Sequence, residues 1–310
     1  MRGTLFAVLL SLASAAGYAL AAVAQSRLAA YGSAASGRGG LRALLGRPLW
    51  WWAVGLNGAA ALTHVAALHY GPLTLVQPLG ALTLVAALPV GAAYERRRVT
   101  RTEWRGALWT VGGLLGLVAV VGPATPGDAL SLPEALAVVA ATALLIAALV
   151  RGSGGAPHGR GLRHATASGM ASGVASALTQ ALVAALARPP AAGGNAGWWQ
   201  PGLLALLVAA FATGGLLLSQ AAFRGGLAAP LAVVNLANPA IAAVIGIALL
   251  GETFRAGAAG WAVALASAAV AARGVILLTR RRAAVPAPRA PGDETGPGAE
   301  PDQEPAPLTA

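Results

Sequence analysis

Apolar residues run along this chain in blocks parted by short polar or arginine-rich breaks. A block of at least ~17 such residues is long enough to cross the hydrocarbon core of a bilayer as a helix. The pattern predicts nine of them: 4–24, 49–69, 72–94, 106–122, 133–150, 165–187, 202–223, 227–250 and 257–278. Several carry boundary signals. Trp50, Trp51 and Trp52 open the second run, and Trp198 and Trp199 precede the seventh, as aromatic anchors at a membrane interface. Pro72 lies in the first turn of the third run, directly after the second, which predicts a tight hairpin. Ser131 and Glu134 read as a capping box ahead of the fifth, with Pro133 in its first turn.

Two of the runs echo each other. Aligned without a gap from Pro72 and Pro230, they pair Leu73 with Leu231, Val76 with Val234 and Gln77 with Asn235. Each holds an amide and a mid-helix proline, Pro78 or Pro239, and ends near a glutamate, Glu95 or Glu252. Weak internal duplication of interrupted apolar helices marks repeat-built membrane transporters, whose substrate site lies at the repeat interface. The repeats are placed at 4–123 and 133–279, inside a membrane domain of residues 1–282. Residues 283–310 are Pro, Ala, Gly and acid, and are expected to form a disordered cytoplasmic tail.

Composition narrows the class. The chain is 57% hydrophobic and 10% charged with a mean hydropathy of +0.68, whereas a soluble domain has roughly 25% charged residues. A bilayer is therefore the expected partner. The net charge of +11 would suit nucleic acid, but the arginines sit in short clusters between apolar runs and aromatics are few. Attraction to the cytoplasmic leaflet accounts for them, and no nucleic acid is expected. Cysteine is absent, which excludes disulfides and thiolate metal sites.

Charge also sets the orientation. With the N-terminus outside, nine crossings place the Arg27–Arg47 loop, Arg96 to Arg98, Arg151, Arg160, Arg163, Arg224 and Arg280 to Arg282 inside. Arg2, Arg188 and Arg255 then fall outside. The first run could be read as a cleaved signal, since Ala22, Val23 and Ala24 make an A-x-A pattern. Cleavage would expose Arg27, Arg38, Arg42 and Arg47 on the wrong side, so the run is read as a retained helix. The expected fold is an all-α integral membrane protein of about nine transmembrane helices built as two inverted repeats, with its C-terminus inside.

Polar groups within the runs are the candidate chemistry, because they are costly in hydrocarbon and usually face a cavity or another helix. They are Asn57, His64, Gln77, Gln180, Gln220, Asn235 and Asn238, joined by Pro78 and Pro239, each of which frees a backbone carbonyl. The bland alternative is interhelical hydrogen bonding, worth ~0.6 kcal/mol per contact. His64 and His69 are five residues apart and point away from each other, so no metal site is expected. Glu95 and Glu252 lie at helix junctions, where capping the following helix is preferred to a vestibule role. A set of amides, carbonyls and one imidazole suits a neutral or zwitterionic metabolite, or a Mg²⁺ ion that keeps its water. The small-residue faces Gly112 to Gly116 and Gly169 to Gly173 would permit a homodimer or serve within one chain.

The stretch 49–82, with Trp50 to Trp52 and the run His69-Tyr70-Gly71-Pro72, resembles the drug/metabolite transporter superfamily, in particular its nine-helix NIPA-like magnesium-transporter branch. Residues 228–252 resemble the end of an EamA-type repeat. The resemblance implies a multi-pass transporter of the plasma membrane, without cofactor, moving a small solute by alternating access. No enzyme activity is expected, because the sequence has no Cys, no mid-depth carboxylate and no recognisable nucleophile with its base. Mg²⁺ transport is the alternative it offers. A non-transporting membrane scaffold, with the duplication merely inherited, is a further one.

Overall fold

The first apolar run does not end where its hydropathy does. In the computed structural model, which describes residues 2–34, 40–70, 76, 79–120, 130–152, 157–187, 199–249 and 257–283, helix α1 spans Arg2–Ala34. Its 33 residues measure ~50 Å at 1.5 Å each, so its last turns project beyond a hydrocarbon core of ~30 Å. A short helix α2 (Gly40–Leu45) leads to α3 (Pro48–Tyr70), α4 (Leu82–Tyr94), α5 (Arg101–Val120), α6 (Leu132–Arg151), α7 (Pro157–Ala187), α8 (Trp199–Ala222), α9 (Ala228–Leu249) and α10 (Ala258–Ala283). No strand occurs among the described residues. Among the described residues six helices, α1, α6, α7, α8, α9 and α10, are long and apolar enough to cross a membrane. Leu62, Leu144 and Trp52 are among many large apolar side chains left facing outward, as lipid contact allows. The chain is a multi-pass, all-helical membrane protein.

Local sequence explains the boundaries. Glu134 accepts from the amide (2.8 Å) and hydroxyl (2.6 Å) of Ser131, fixing the start of α6 as expected. α5 starts in the same way, where Glu103 accepts from the Thr100 amide at 2.9 Å and its own amide donates back to the Thr100 hydroxyl at 3.4 Å. The expected cap from Glu95 is not made: that carboxylate binds Arg97 instead. α4 ends in a Schellman turn, with Arg97 N–H donating to the Ala92 carbonyl and Arg96 N–H to that of Ala93. A 3₁₀ turn, Phe223–Gly225, joins α8 to α9 through Gly226, whose φ of 112° suits a residue without Cβ.

The third predicted run, 72–94, is not one uninterrupted described helix. Leu79 and Gly80 are helical, Ala81 is a turn, and α4 begins at Leu82. Residues 71–75, Gln77 and Pro78 lie outside the described residues, as do Trp198, Glu252 and the tail beyond 283. In the gap-free alignment of the two copies, Ala81 stands opposite Pro239. Yet α9 continues helically through Pro239, so the two copies differ in continuity.

Packing pairs the helices in a recurring way. In the first half (α1–α5), α1 packs on α3 and α4; in the second (α6–α10), α7 packs on α8 and α9; α5 packs against α10 across the halves. Ser14 on α1 donates to the Ala60 carbonyl on α3, and Ser168 on α7 donates to the Gly215 carbonyl on α8, both at 2.8 Å. The partners are 46 and 47 residues apart. Glycines set the closest approaches. A Cβ on Gly113 would strike the Ala271 backbone of α10, and one on Gly169 would lie 2.6 Å from the Ala237 Cβ of α9. Gly173 likewise faces Ile241 and Asn238. Gly113, Gly116, Gly169 and Gly173 thus hold helices of the same chain together, while Gly112 faces open space. A core of Val23, Leu84, Leu88, Phe223, Leu227 and Leu231 joins α1 and α4 to the α8–α9 turn.

Candidate functional site

The buried polar groups gather most clearly where α1 meets the end of α8. Gln25 on α1 and Ser219 and Gln220 on α8 are all buried. Ser219 Oγ donates to Gln25 Oε1 at 2.6 Å, while the Leu216 carbonyl, 2.8 Å away, competes for the same proton. Beside it, Gln220 Oε1 is buried with no hydrogen-bond partner. A buried unpaired acceptor costs ~1–3 kcal/mol, so its persistence calls for an explanation.

Asn235 on α9 presents the complementary case. Its Nδ2 is buried without a hydrogen-bond partner. It lies seven residues into α9, or ~10 Å along the axis. Pro239 has no N–H, so the carbonyl of Asn235, four residues earlier, loses its intrahelical donor. One residue therefore offers both a donor and an acceptor that the helix does not use. Asn238 is turned to α7, its Oδ1 3.3 Å from where a Gly173 Cβ would stand.

The other candidates are placed separately. His64 on α3 is half-buried, and its Cε1 lies 3.9 Å from where a Gly80 Cβ would be, so the ring faces the break before α4. Asn57 donates to the Ala53 carbonyl of its own helix at 3.0 Å. Gln180 is exposed on α7. Glu95 is exposed and paired with Arg97.

Two groups near the C-terminal end of α1 carry no mark in the hydropathy pattern. Gln25 follows directly on the first apolar run, which ends at Ala24. Arg27, counted only as a topological charge, lays its guanidinium over the Tyr94 ring of α4 at 3.6 Å, with its Nε buried and unpartnered. Arg47 stands over Tyr31 at 5.7 Å. An arginine two residues beyond a polar position, on a helix that outlasts its apolar run, is the available signal.

Outside the spans, Arg97 joins Glu95 and Glu103, the latter at 2.9 Å. Burial by itself would raise the Glu103 carboxyl, but the Thr100 amide, Arg97 and the Thr100 hydroxyl outweigh it and hold it below the usual carboxylate value. Among the described residues no group of three or more His, Asp or Glu is arranged to hold a metal ion. The donors on offer near α8 and α9 are amides and carbonyls.

A family model described as Magnesium transporter NIPA matches residues 1–132. Over 134 residues the chain is 35% identical to an uncharacterized protein of Corynebacterium glutamicum, an alignment covering 41% of this chain and 45% of that protein. The chain thus spans less than half the length of the curated relative it matches. No solved structure matches.

Proposed function

We propose that the chain is a plasma-membrane transporter of a small solute. In this reading residues 1–282 form nine spans in two inverted repeats, N-terminus outside, with 283–310 a cytoplasmic tail. Transport proceeds by alternating access between the α1/α3/α4 and α7/α8/α9 bundles, as in the drug/metabolite transporter superfamily with its EamA-type repeats. The observation that carries it is the family-model match over residues 1–132, which takes in α1 to α5, the whole of one proposed repeat. The paired bonds Ser14–Ala60 and Ser168–Gly215 support a second unit packed like the first. They extend the likeness to the first and sixth runs, where sequence similarity is weak.

Mg²⁺ is the first solute to test, given the description of the matched family. The pathway would pass the ion largely hydrated, since amide and carbonyl oxygens can bind its water while Mg²⁺ sheds that water reluctantly. Gln77, Asn235 and Gln220 would line it, with Asn57, His64, Pro78, Gln180, Asn238 and Pro239 nearby and Glu95 and Glu252 at the vestibules. A neutral or zwitterionic metabolite is the second reading, favoured by the unpaired donor on Asn235 and the unpaired acceptor on Gln220.

The test is Mg²⁺ entry into proteoliposomes with a trapped indicator, for wild type and for Gln77→Leu/Asn235→Leu. Influx abolished by the double substitution supports the Mg²⁺ reading. No influx from folded wild type moves the weight to the metabolite, sought by a solute screen against the same pair. Failure of every solute leaves the scaffold reading.

A further inference from the structure

Helices α6 and α8 both pack on α7, and between them lies an open cleft of about 420 Å³. Its wall is apolar, with Ala147 and Val150 of α6 and Phe211, Gly214 and Leu218 of α8, until it reaches Arg151. None of the polar residues of the proposed pathway lines it, so it is no part of that site. Along α6 the lining runs from Ala143 to Arg151, eight residues or ~12 Å, which is close to half of a ~30 Å hydrocarbon core. The cleft is therefore about one leaflet deep.

Its charged end is where three helix ends converge. Arg163 on α7 donates to the Gly152 carbonyl just past α6. Gly161, also on α7, stands so close to the end of α8 that a Cβ there would lie 3.3 Å from the Ala222 carbonyl. Arg151, Arg160 and Arg224 are exposed around this junction. The acid carried by these helices, Glu134, sits at the far end of α6.

We infer that the cleft holds one anionic phospholipid, its acyl chain between α6 and α8 and its phosphate at Arg151, Arg160, Arg163 and Arg224. An apolar trough one leaflet deep has no hydrogen bonds to offer a polar solute, but it matches a single acyl chain. Guanidinium groups present planar forks suited to phosphate oxygens, and basic pockets between membrane helices on the cytoplasmic side bind anionic headgroups. The inference rests on the membrane reading of the chain and not on transport.

Native mass spectrometry of the full chain in mild detergent, titrated with phosphatidylglycerol or phosphatidylcholine, tests it. Wild type is expected to retain one phosphatidylglycerol with a preference of about tenfold, set by several arginines at a membrane surface. Arg151→Gln/Arg224→Gln should bring the two lipids to within about twofold. A Cβ on Gly214 meets nothing within 4 Å, so Gly214→Leu should fill the trough, keep the melting temperature and lose both lipids. Equal retention of the two lipids by wild type would overturn the proposal. So would a preference that survives the arginine pair, displacement by soluble glycerol phosphate, or a second copy of the chain held in place of lipid.

Discussion

Ser219 donates to Gln25 over 2.6 Å across a sequence separation of 194 residues, tying α8 to α1 through two buried side chains. In hydrocarbon such a bond is hard to replace, yet measured interhelical couplings are modest because the unfolded chain also finds partners. A double-mutant cycle with Gln25→Leu and Ser219→Ala, followed by unfolding in detergent, should give a coupling of ~0.6–1.7 kcal/mol. Strictly additive single effects would mean the contact carries no stability.

Gly113 and Gly112 are neighbours with opposite surroundings. A side chain at 113 would run into the Ala271 and Ser267 backbone of α10, whereas one at 112 meets nothing within 4 Å. Gly113→Val should therefore cost ~1–3 kcal/mol or more, since backbone cannot move aside as a rotamer does. Gly112→Val should leave the melting temperature nearly unchanged. The comparison of the two in one detergent is the measurement.

Arg96 occupies the left-handed position of the Schellman turn, with φ at 53°. Glycine reaches that conformation without a Cβ penalty. Arg96→Gly is expected to raise stability by ~0.5–1 kcal/mol, read as an upward shift in melting temperature. An unchanged or lower value would show that Arg96 makes compensating contacts.

Glu103 titrates below the usual carboxylate value in the folded chain. Because the folded value is the lower one, the stability it contributes is complete above the ordinary carboxylate range and is lost as pH falls through the folded value. Glu103→Gln should flatten that part of the acid unfolding profile while lowering stability at neutral pH. Profiles that stay parallel would refute the linkage.

Much of this architecture was legible from hydropathy, and particular residues show where legibility ended. Ser131 and Glu134 announced a helix start, and the same signature at Thr100 and Glu103 stood in plain view. Glu95, beside an arginine cluster at the same junction, offers a competing cap in the sequence, and only the geometry separates the two. Gln25 was missed for a different reason: the helix outlasts its apolar stretch, and hydropathy registers the solvent rather than the backbone. The glycines at 113, 169 and 173 were readable as close-packing positions. Which helix they would meet was not, since a small-residue face has the same composition whether its partner is in the same chain or another. His64 facing Gly80, and Gln180 turned outward, depend on helix rotation, which apolar runs of near-uniform hydrophobicity do not encode.

The α5–α10 contact has a mechanical side. Around Gly113 and Gly274 the two helices touch backbone to backbone, with Thr110 and Ala271 pressed against the opposing chain. No rotamer change can loosen such a contact, so the pair behaves as one stiff spine shared by both halves. The bond between Gln25 and Ser219 and the apolar core around Val23, Phe223 and Leu227 join the same halves through side chains. Side chains there have rotamers to change, whereas the backbone contact of the spine has none.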